Sequence, residues 1–444
     1  MRARVHLSDH FTTSKLLRFT LPSIAMNIFA SLYIVADGFF VANFAGKSEF
    51  AAVNLIFPVL NILGTIGYMF GVGGNALVAK ILGENDRERA NRLFSLVVLT
   101  SSCLGVSLMV LGFVFMPQVA SMLGADGKLL ENSVLYGRIF ILALPAWILS
   151  YAFQLFFVTA EKPRLGLLVT VFSGVCNMIL DALFIIGFQW GIAGAAAASA
   201  LAQIVGGVFP LIYFSRKNTS LLKLVKPVWD ARSIIKSCTN GSSEFMAEAA
   251  ASMVGLIYNM QLLKYAGEDG VVIYGQLMYV SLIFSAIFVG YSNGVGPVFS
   301  YHYGAQNHGE LKNLRKRSLV IIGITSVAMF CLSEALAYPF SILFLQDAMQ
   351  LVPISVHAFR IISFSYFFSG MAIFSSAFFT ALNDGKVSAL ISFLRTFVFE
   401  LGAVLLLPVL FGVEGIWCSV VIGDLMAAVV GSLFMVRLRR KYQY

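Results

Sequence analysis

Two aspartates stand inside apolar stretches where an ionised side chain is expensive. Asp37 lies in the run 17–42 and Asp181 in the run 165–187, and a charge at membrane depth costs roughly 3 kcal/mol or more on insertion scales. Tyr33 precedes Asp37 by one helical turn and Asn177 precedes Asp181 by the same step, so each pair shares one helix face. The interval from Arg18 to Asp37 nearly equals that from Arg164 to Asp181. At about 1.5 Å per residue, both carboxyls sit roughly 26–28 Å along their helices and can meet in one bundle. Two buried carboxylates close together cannot easily both ionise, so the pair invites a proton or a metal cation such as Na+ at Asp37 and Asp181. That chemistry ties an ion gradient to a change of shape. The bland alternative is interhelical hydrogen bonding, and the cost of burying carboxylates favours coupling. Pro22 lies in the same run as Asp37, several turns before it. It removes a backbone hydrogen bond and is a candidate hinge, or equally a static kink.

The elements that must hold these residues follow from composition. Of 444 residues, 59% are hydrophobic and 12% charged, with a mean hydropathy of +0.84. Water would not tolerate so much apolar surface, whereas a bilayer removes the need to hide it. Runs long enough to span recur at 17–42, 52–79, 93–116, 133–159, 165–187, 192–214, 242–263, 272–300, 318–344, 353–380, 387–411 and 414–436. The fold class expected is an all-α integral membrane protein of twelve transmembrane helices. Both termini and the even-numbered connections hold 25 of the 31 Lys and Arg, and the odd-numbered connections only Lys47, Lys128 and Lys264. This asymmetry places both termini in the cytoplasm.

Shifted by the interval that separates Ala45 from Ala266, the chain matches itself nearly from end to end. Ala45-Gly46 meets Ala266-Gly267, Gly73 meets Gly294, Gly83 meets Gly304, and Gly191 and Gly194 meet Gly412 and Gly415. A nearly constant offset across six spans predicts two six-helix bundles. They comprise residues 1–214 and 241–444, joined by a cytoplasmic linker at 215–240 and related by a pseudo-twofold axis along the membrane normal. A pathway between two such halves is the architecture of a secondary transporter. At the same offset Asp37 faces Tyr258 and Asp181 faces Gly402, so the coupling site is expected in the first half alone.

Other intramembrane charges are less specific. Glu244 and Glu248 occupy the first two turns of span seven. For Glu244 the cytoplasmic interface is one reading and its role stays open, while Glu248, with Tyr258 and Asn259, is a candidate for the substrate cavity. Arg395 and Glu400 are five apart and do not stack ideally, and Asp424 stands opposite Gln203 in the repeat; for these, structural pairing and substrate contact stay open. The 40 Phe, 16 Tyr and 16 Met suit a cavity for amphipathic cations, although packing and lipid-facing roles account for most of them.

Several classes are disfavoured. The five cysteines stand singly, without CxxC or Cys/His spacing, so neither disulfides nor metal sites are indicated. The net charge of +9 is spread in short runs between spans, not interleaved with aromatics on one surface, which argues against nucleic acid. No GxxxxGK[ST], HExxH or GxGD occurs, and His302 and His357 lie near span ends, which speaks against ATP as the energy source and against an intramembrane enzyme.

Together these residues resemble the multidrug and toxic compound extrusion (MATE) family, over spans one to twelve. The resemblance is carried by Leu21-Pro22 with Asp37, by Phe57-Pro58 through Gly71-Val72-Gly73 to Gly83-Glu84-Asn85-Asp86, and by Asn177-Met178-Ile179-Leu180-Asp181. Gly290 to Pro297, Tyr303-Gly304-Ala305 and Gly412 through Gly415-Ile416-Trp417 complete it. It implies two lobes around a V-shaped cavity and a first-lobe cation cluster of Tyr33, Asp37, Asn177, Asp181 and Ser199. It also implies antiport of amphipathic, often cationic, compounds against H+ or Na+ across a bacterial cytoplasmic membrane. No cofactor is expected beyond the coupling ion, and the chain is expected to act as a monomer. The position where some members carry a second-lobe Glu is Ala251 here, so Glu244 and Glu248 do not inherit that role. The runner-up is a lipid-linked oligosaccharide flippase of the same superfamily. Those usually have more spans or a cavity richer in Arg and Lys, and only Arg138, Arg360 and Arg395 approach the membrane interior here.

Overall fold

The computed structural model of the chain describes residues 5–41, 44, 46–346 and 348–444. Arg2 and Arg4, the end of the first expected span at residue 42, Ala45 of the first repeat match and the side chain of Lys47 lie outside the described residues. Among the described residues twelve helical spans follow one another. In the first half they are α1 (Thr13–Phe40), α2 (Lys47–Gly83), α3 (Arg87–Met122), α4 (Gly127–Ile141 and Leu144–Thr159), α5 (Pro163–Gly187) and α6 (Gly191–Ser215). In the second they are α7 (231–266), α8 (268–304), α9 (His308–Phe344), α10 (Met349–Ser363 and Tyr366–Ala381), α11 (Gly385–Phe411) and α12 (Val413–Arg437), with a short α13 (Arg439–Tyr442) closing the chain. The break between α7 and α8 is Gly267, at φ 67° and ψ −159°, a conformation only glycine adopts readily.

The repeat reappears in backbone geometry. Positive φ recurs at Gly46 and Gly267, at Asn85 and Gln306, and at Gly191 and Gly412, each pair separated by the offset of the sequence repeat. The broken helices correspond as well, α4 bending by 55° and α10 by 45°. In α4 the second segment opens with Pro145 near its first turn, which supplies no amide donor to the preceding turn. Asp86 and Asn307, again one repeat apart, cap α3 and α9 by accepting from the amides of Arg89 and Glu310. One boundary differs from expectation. The helix expected from 242 begins at 231, because the Asp230 side chain accepts from the amides of Arg232 and Ser233. Residues 231–240, too polar overall for apolar patterning to register, thus form the first turns of α7 behind the Asp230 cap.

The two halves meet through glycines at the end of the bundle that carries both termini. A side chain on Gly304 would strike the Lys80 backbone, one on Gly83 would strike Tyr301 and Ala305, and one on Gly73 would lie 2.6 Å from the Gly241 amide nitrogen. The equivalent approach of α8 to α1 puts a Cβ at Gly294 3.1 Å from Thr20 and one at Gly290 2.6 Å from Ile24. Without side chains at these positions the backbones of α1, α2, α7 and α8 can approach closely, as small residues allow in membranes. At the opposite end, Gly38, Gly255, Gly267 and Gly275 have no such neighbour within 4 Å among the described residues.

An N-terminal strap crosses this sealed end. The Leu7 amide and the His6 ring engage Glu161 of the first half at 2.8 and 2.7 Å. The Phe11 amide and the His10 ring engage Glu310 of the second at 2.9 and 2.6 Å. Leu7 and Phe11 are fully buried beneath it. The same His-apolar step, repeated one turn's length further on, therefore grips one carboxylate from each half.

Candidate functional site

Three first-half helices each offer two polar groups one turn apart: Tyr33 and Asp37 on α1, Asn177 and Asp181 on α5, and Ser199 and Gln203 on α6. The fold brings them together. Ser199 Oγ donates to Asp37 Oδ1 at 3.1 Å, Asn177 Nδ2 reaches Ser199 Oγ at 3.4 Å, and Gln203 Nε2 reaches Tyr33 OH at 3.3 Å. Asp37 and Asp181 are close enough to act on each other directly. Tyr136, from the first segment of α4, is buried and acts on Asp37, Asp181 and Ser199.

Asp181 is fully buried, and among the described residues neither of its carboxylate oxygens accepts from a hydrogen-bond donor; the Asn177 Oδ1 oxygen likewise has none. Among the described residues no ion pair is formed by Asp37 or Asp181. Orphaned acceptor oxygens beside two carboxyls, with no cationic side chain, fit a small positive ion or a proton and little else. The chain continues past Asp181 as a π-helical turn over Ala182–Gly187, a distortion found disproportionately at functional sites.

Asp37, with Tyr33, Asn177, Ser199 and Gln203, opens onto a cavity of about 570 Å³ between the two halves, while Asp181 sits behind it. Phe57, Tyr68, Trp147 and Tyr151 supply aromatic walls, and Glu244, Glu248 and Arg395 face in from the second half. Volume and lining are those of a small-molecule site.

Sequence reasoning placed some of these residues differently. Glu244, for which the interface is one reading, lines the cavity beside Glu248, because α7 starts at 231 rather than 242 and carries it deeper. Tyr258 and Asn259 are not among the lining residues. At about 1.5 Å per residue, Tyr258 lies about 10 Å beyond Ala251, the last α7 residue on the wall. There it is buried in the second half, stacked on Tyr274 with ring centroids 5.1 Å apart, and Asn259, one step round the helix, is exposed. Pro22 is buried within an uninterrupted α1, next to Ser23 and Ile24, on which Gly290 packs.

Arg395 does not depend on Glu400. Its Nε and Nη2 both reach Asp424 Oδ1 of α12, at 3.0 and 2.9 Å. The π turn Leu394–Glu400 nevertheless returns residues five apart to one face, so Glu400 also acts on Arg395. Tyr136 and Gln203 were not among the expected cluster. The one-turn step from Ser199 could have signalled Gln203; nothing singles out Tyr136 among 16 tyrosines.

Comparison with known proteins agrees with this architecture. One family model, described as MatE, matches the chain twice, over residues 22–183 and 245–405. Each match covers most of one half. The multidrug export protein MepA of Staphylococcus haemolyticus (strain JCSC1435) is 26% identical over 429 residues, 96% of this chain and 94% of that protein. MepA of Staphylococcus aureus (strain MRSA252) is 24% identical over 427 residues, covering 96% and 93%. Among solved structures, a MATE in complex with MaL6 superposes with a TM-score of 0.93 at 21% identity, over 98% of both chains. An outward-facing multidrug resistance MATE family transporter of the MOP superfamily gives 0.92 at 21% identity, over 98% of this chain and 97% of that one. At these identities the structural likeness establishes the two-lobe, twelve-helix fold.

Proposed function

The chain belongs to the MatE family, and from that premise we propose that it exports amphipathic organic cations across a bacterial cytoplasmic membrane, driven by entry of H+ or Na+ at Asp37 and Asp181. The observation that carries the reading is a close carboxyl pair, with Asp37 at the wall of a cavity shared by both lobes and Asp181 buried behind it with both oxygens lacking a donor among the described residues. The MepA relatives are named as multidrug export proteins, which supports the same direction of transport.

The cavity chemistry supports the substrate class. Its ionisable walls are Asp37, Glu244, Glu248 and Arg395, and Arg395 is already held by Asp424. An excess of carboxylate among aromatic faces favours a lipophilic cation and disfavours the phosphate of a lipid-linked saccharide. In the proposed cycle the substrate leaves when a cation from outside occupies the acid pair, and the lobes then part at their glycine-packed end, which the basic loops place in the cytoplasm. Stoichiometry decides what drives this. One H+ exchanged for one monocation moves no net charge, so only the pH difference contributes. Uptake of two would add about 2.3 kcal/mol per 100 mV of membrane potential.

The test is efflux of a fluorescent organic cation from proteoliposomes containing the purified chain, with pH gradient, Na+ gradient and membrane potential imposed one at a time. Transport should respond to at least one of the two ion gradients. Dye movement indifferent to both would refute ion coupling, and no dye movement under any gradient would refute the substrate class.

A further inference from the structure

A second crevice, of about 400 Å³, lies between α1 and α5 at the end of the first lobe that carries the termini. Arg18 from α1, with Lys162 and Arg164 from the α4–α5 turn, converges on it. Among the described residues, the side chains of Arg18 and Arg164 form no hydrogen bond, ion pair or ring contact. Lys162 donates to Thr219 at 2.9 Å. The acid on this wall, Glu161, is already engaged by His6 and the Leu7 amide. With three cations and one carboxylate on its wall, the crevice carries an excess of positive charge.

Its vertical order is informative. One turn deeper than each arginine stands an apolar wall residue, Pro22 below Arg18 and Leu168 below Arg164. Leu168 is 65% exposed, and Phe172, one turn further along the same helix, also 65%. Cations at headgroup depth above an exposed apolar track match a phosphate with its acyl chains. Residues that merely set topology need not converge on one crevice.

We propose that this crevice binds the phosphate of an anionic phospholipid, whose chains lie along the exposed face of α5. With the basic end in the cytoplasm, the lipid comes from the inner leaflet. The site joins the roots of the two helices whose outer parts carry Asp37 and Asp181, so its occupant bears on how α1 moves against α5. The lipid assignment depends on the membrane orientation proposed above but not on the transported compound. Failure of dye efflux would leave it intact, and the reverse holds too.

The test is native mass spectrometry of the delipidated full chain titrated with phosphatidylglycerol, phosphatidylcholine or glycerol phosphate. The wild type should retain phosphatidylglycerol in preference to phosphatidylcholine. The double variant Arg18→Gln with Arg164→Gln should bind it about thirtyfold more weakly, at about fivefold per cation near a membrane surface, and Arg18→Lys with Arg164→Lys should keep most of the affinity. Equal retention of the two lipids by the wild type would overturn the proposal, and this comparison needs no variant to fold. Unchanged binding by a folded Gln variant would overturn it as well. Binding of glycerol phosphate at the concentrations that suffice for the lipid would overturn the lipid as occupant and leave a soluble phosphate ester in its place.

Discussion

Replacing Asp37 by asparagine removes a charge while leaving the shape of the site almost unchanged. The hydrogen bond from Ser199 Oγ ends on Asp37 Oδ1 at 3.1 Å, and an asparagine presents an acceptor oxygen at the same place. The cost to folding is therefore expected within about 1 kcal/mol, the scale of one ordinary hydrogen bond. Coupling behaves differently. Each proton moving down one pH unit supplies about 1.4 kcal/mol, enough for a tenfold substrate gradient, and two protons for a hundredfold. With Asp37→Asn, Asp181 keeps its carboxyl but no longer has a carboxyl neighbour against which to exchange an ion. The steady-state gradient of a fluorescent organic cation in proteoliposomes under one pH unit should then collapse to a ratio near one. Thermal unfolding followed by size-exclusion chromatography should give a midpoint close to the wild type. A folded Asp37→Asn protein that built the wild-type gradient would refute the reasoning outright.

Two further predictions concern the second lobe. Asp424 is 8% exposed at its side chain and holds Arg395 through one oxygen, so Arg395→Gln should destabilise by about 3 kcal/mol by leaving a buried charge alone. Adding Asp424→Asn should recover most of that loss, and strictly additive costs in thermal unfolding would show that the pair does not interact. Asp384 lies in the turn before α11. Burial pushes its carboxyl up, but hydrogen bonds from Tyr442 and Lys441 and the amide of Val387 outweigh it and hold it below the usual 3.8. A group depressed on folding contributes stability above its unfolded value and loses it as pH falls through the folded one. Asp384→Asn should therefore cost about 1 kcal/mol at neutral pH, with the difference in unfolding midpoint shrinking below pH 3.8.

Much of this molecule was legible in one dimension. Hydropathy located the spans, the constant repeat offset anticipated the paired positive-φ positions at Gly46 and Gly267 and at Gly191 and Gly412, and counting from Arg18 and Arg164 set Asp37 and Asp181 at one depth. Translation along a helix is readable because each residue adds a constant rise. Rotation about the axis is another matter. In a soluble helix one apolar stripe points at the core, but a membrane helix is apolar all round, so its pattern does not tell a lobe neighbour from lipid. Only packing decided that Asp181 sits behind Asp37 and off the cavity, that Glu244 faces in and Tyr258 turns to Tyr274, and that Tyr136 reaches the acid pair. The same holds for Arg395, which a wide π turn and a distant helix steer to Asp424. The order of the chemical groups and the common depth of Asp37 and Asp181 were determined by sequence alone, while the depth of Glu244 and the company each group keeps were decided by where helices start and how closely they approach in three dimensions.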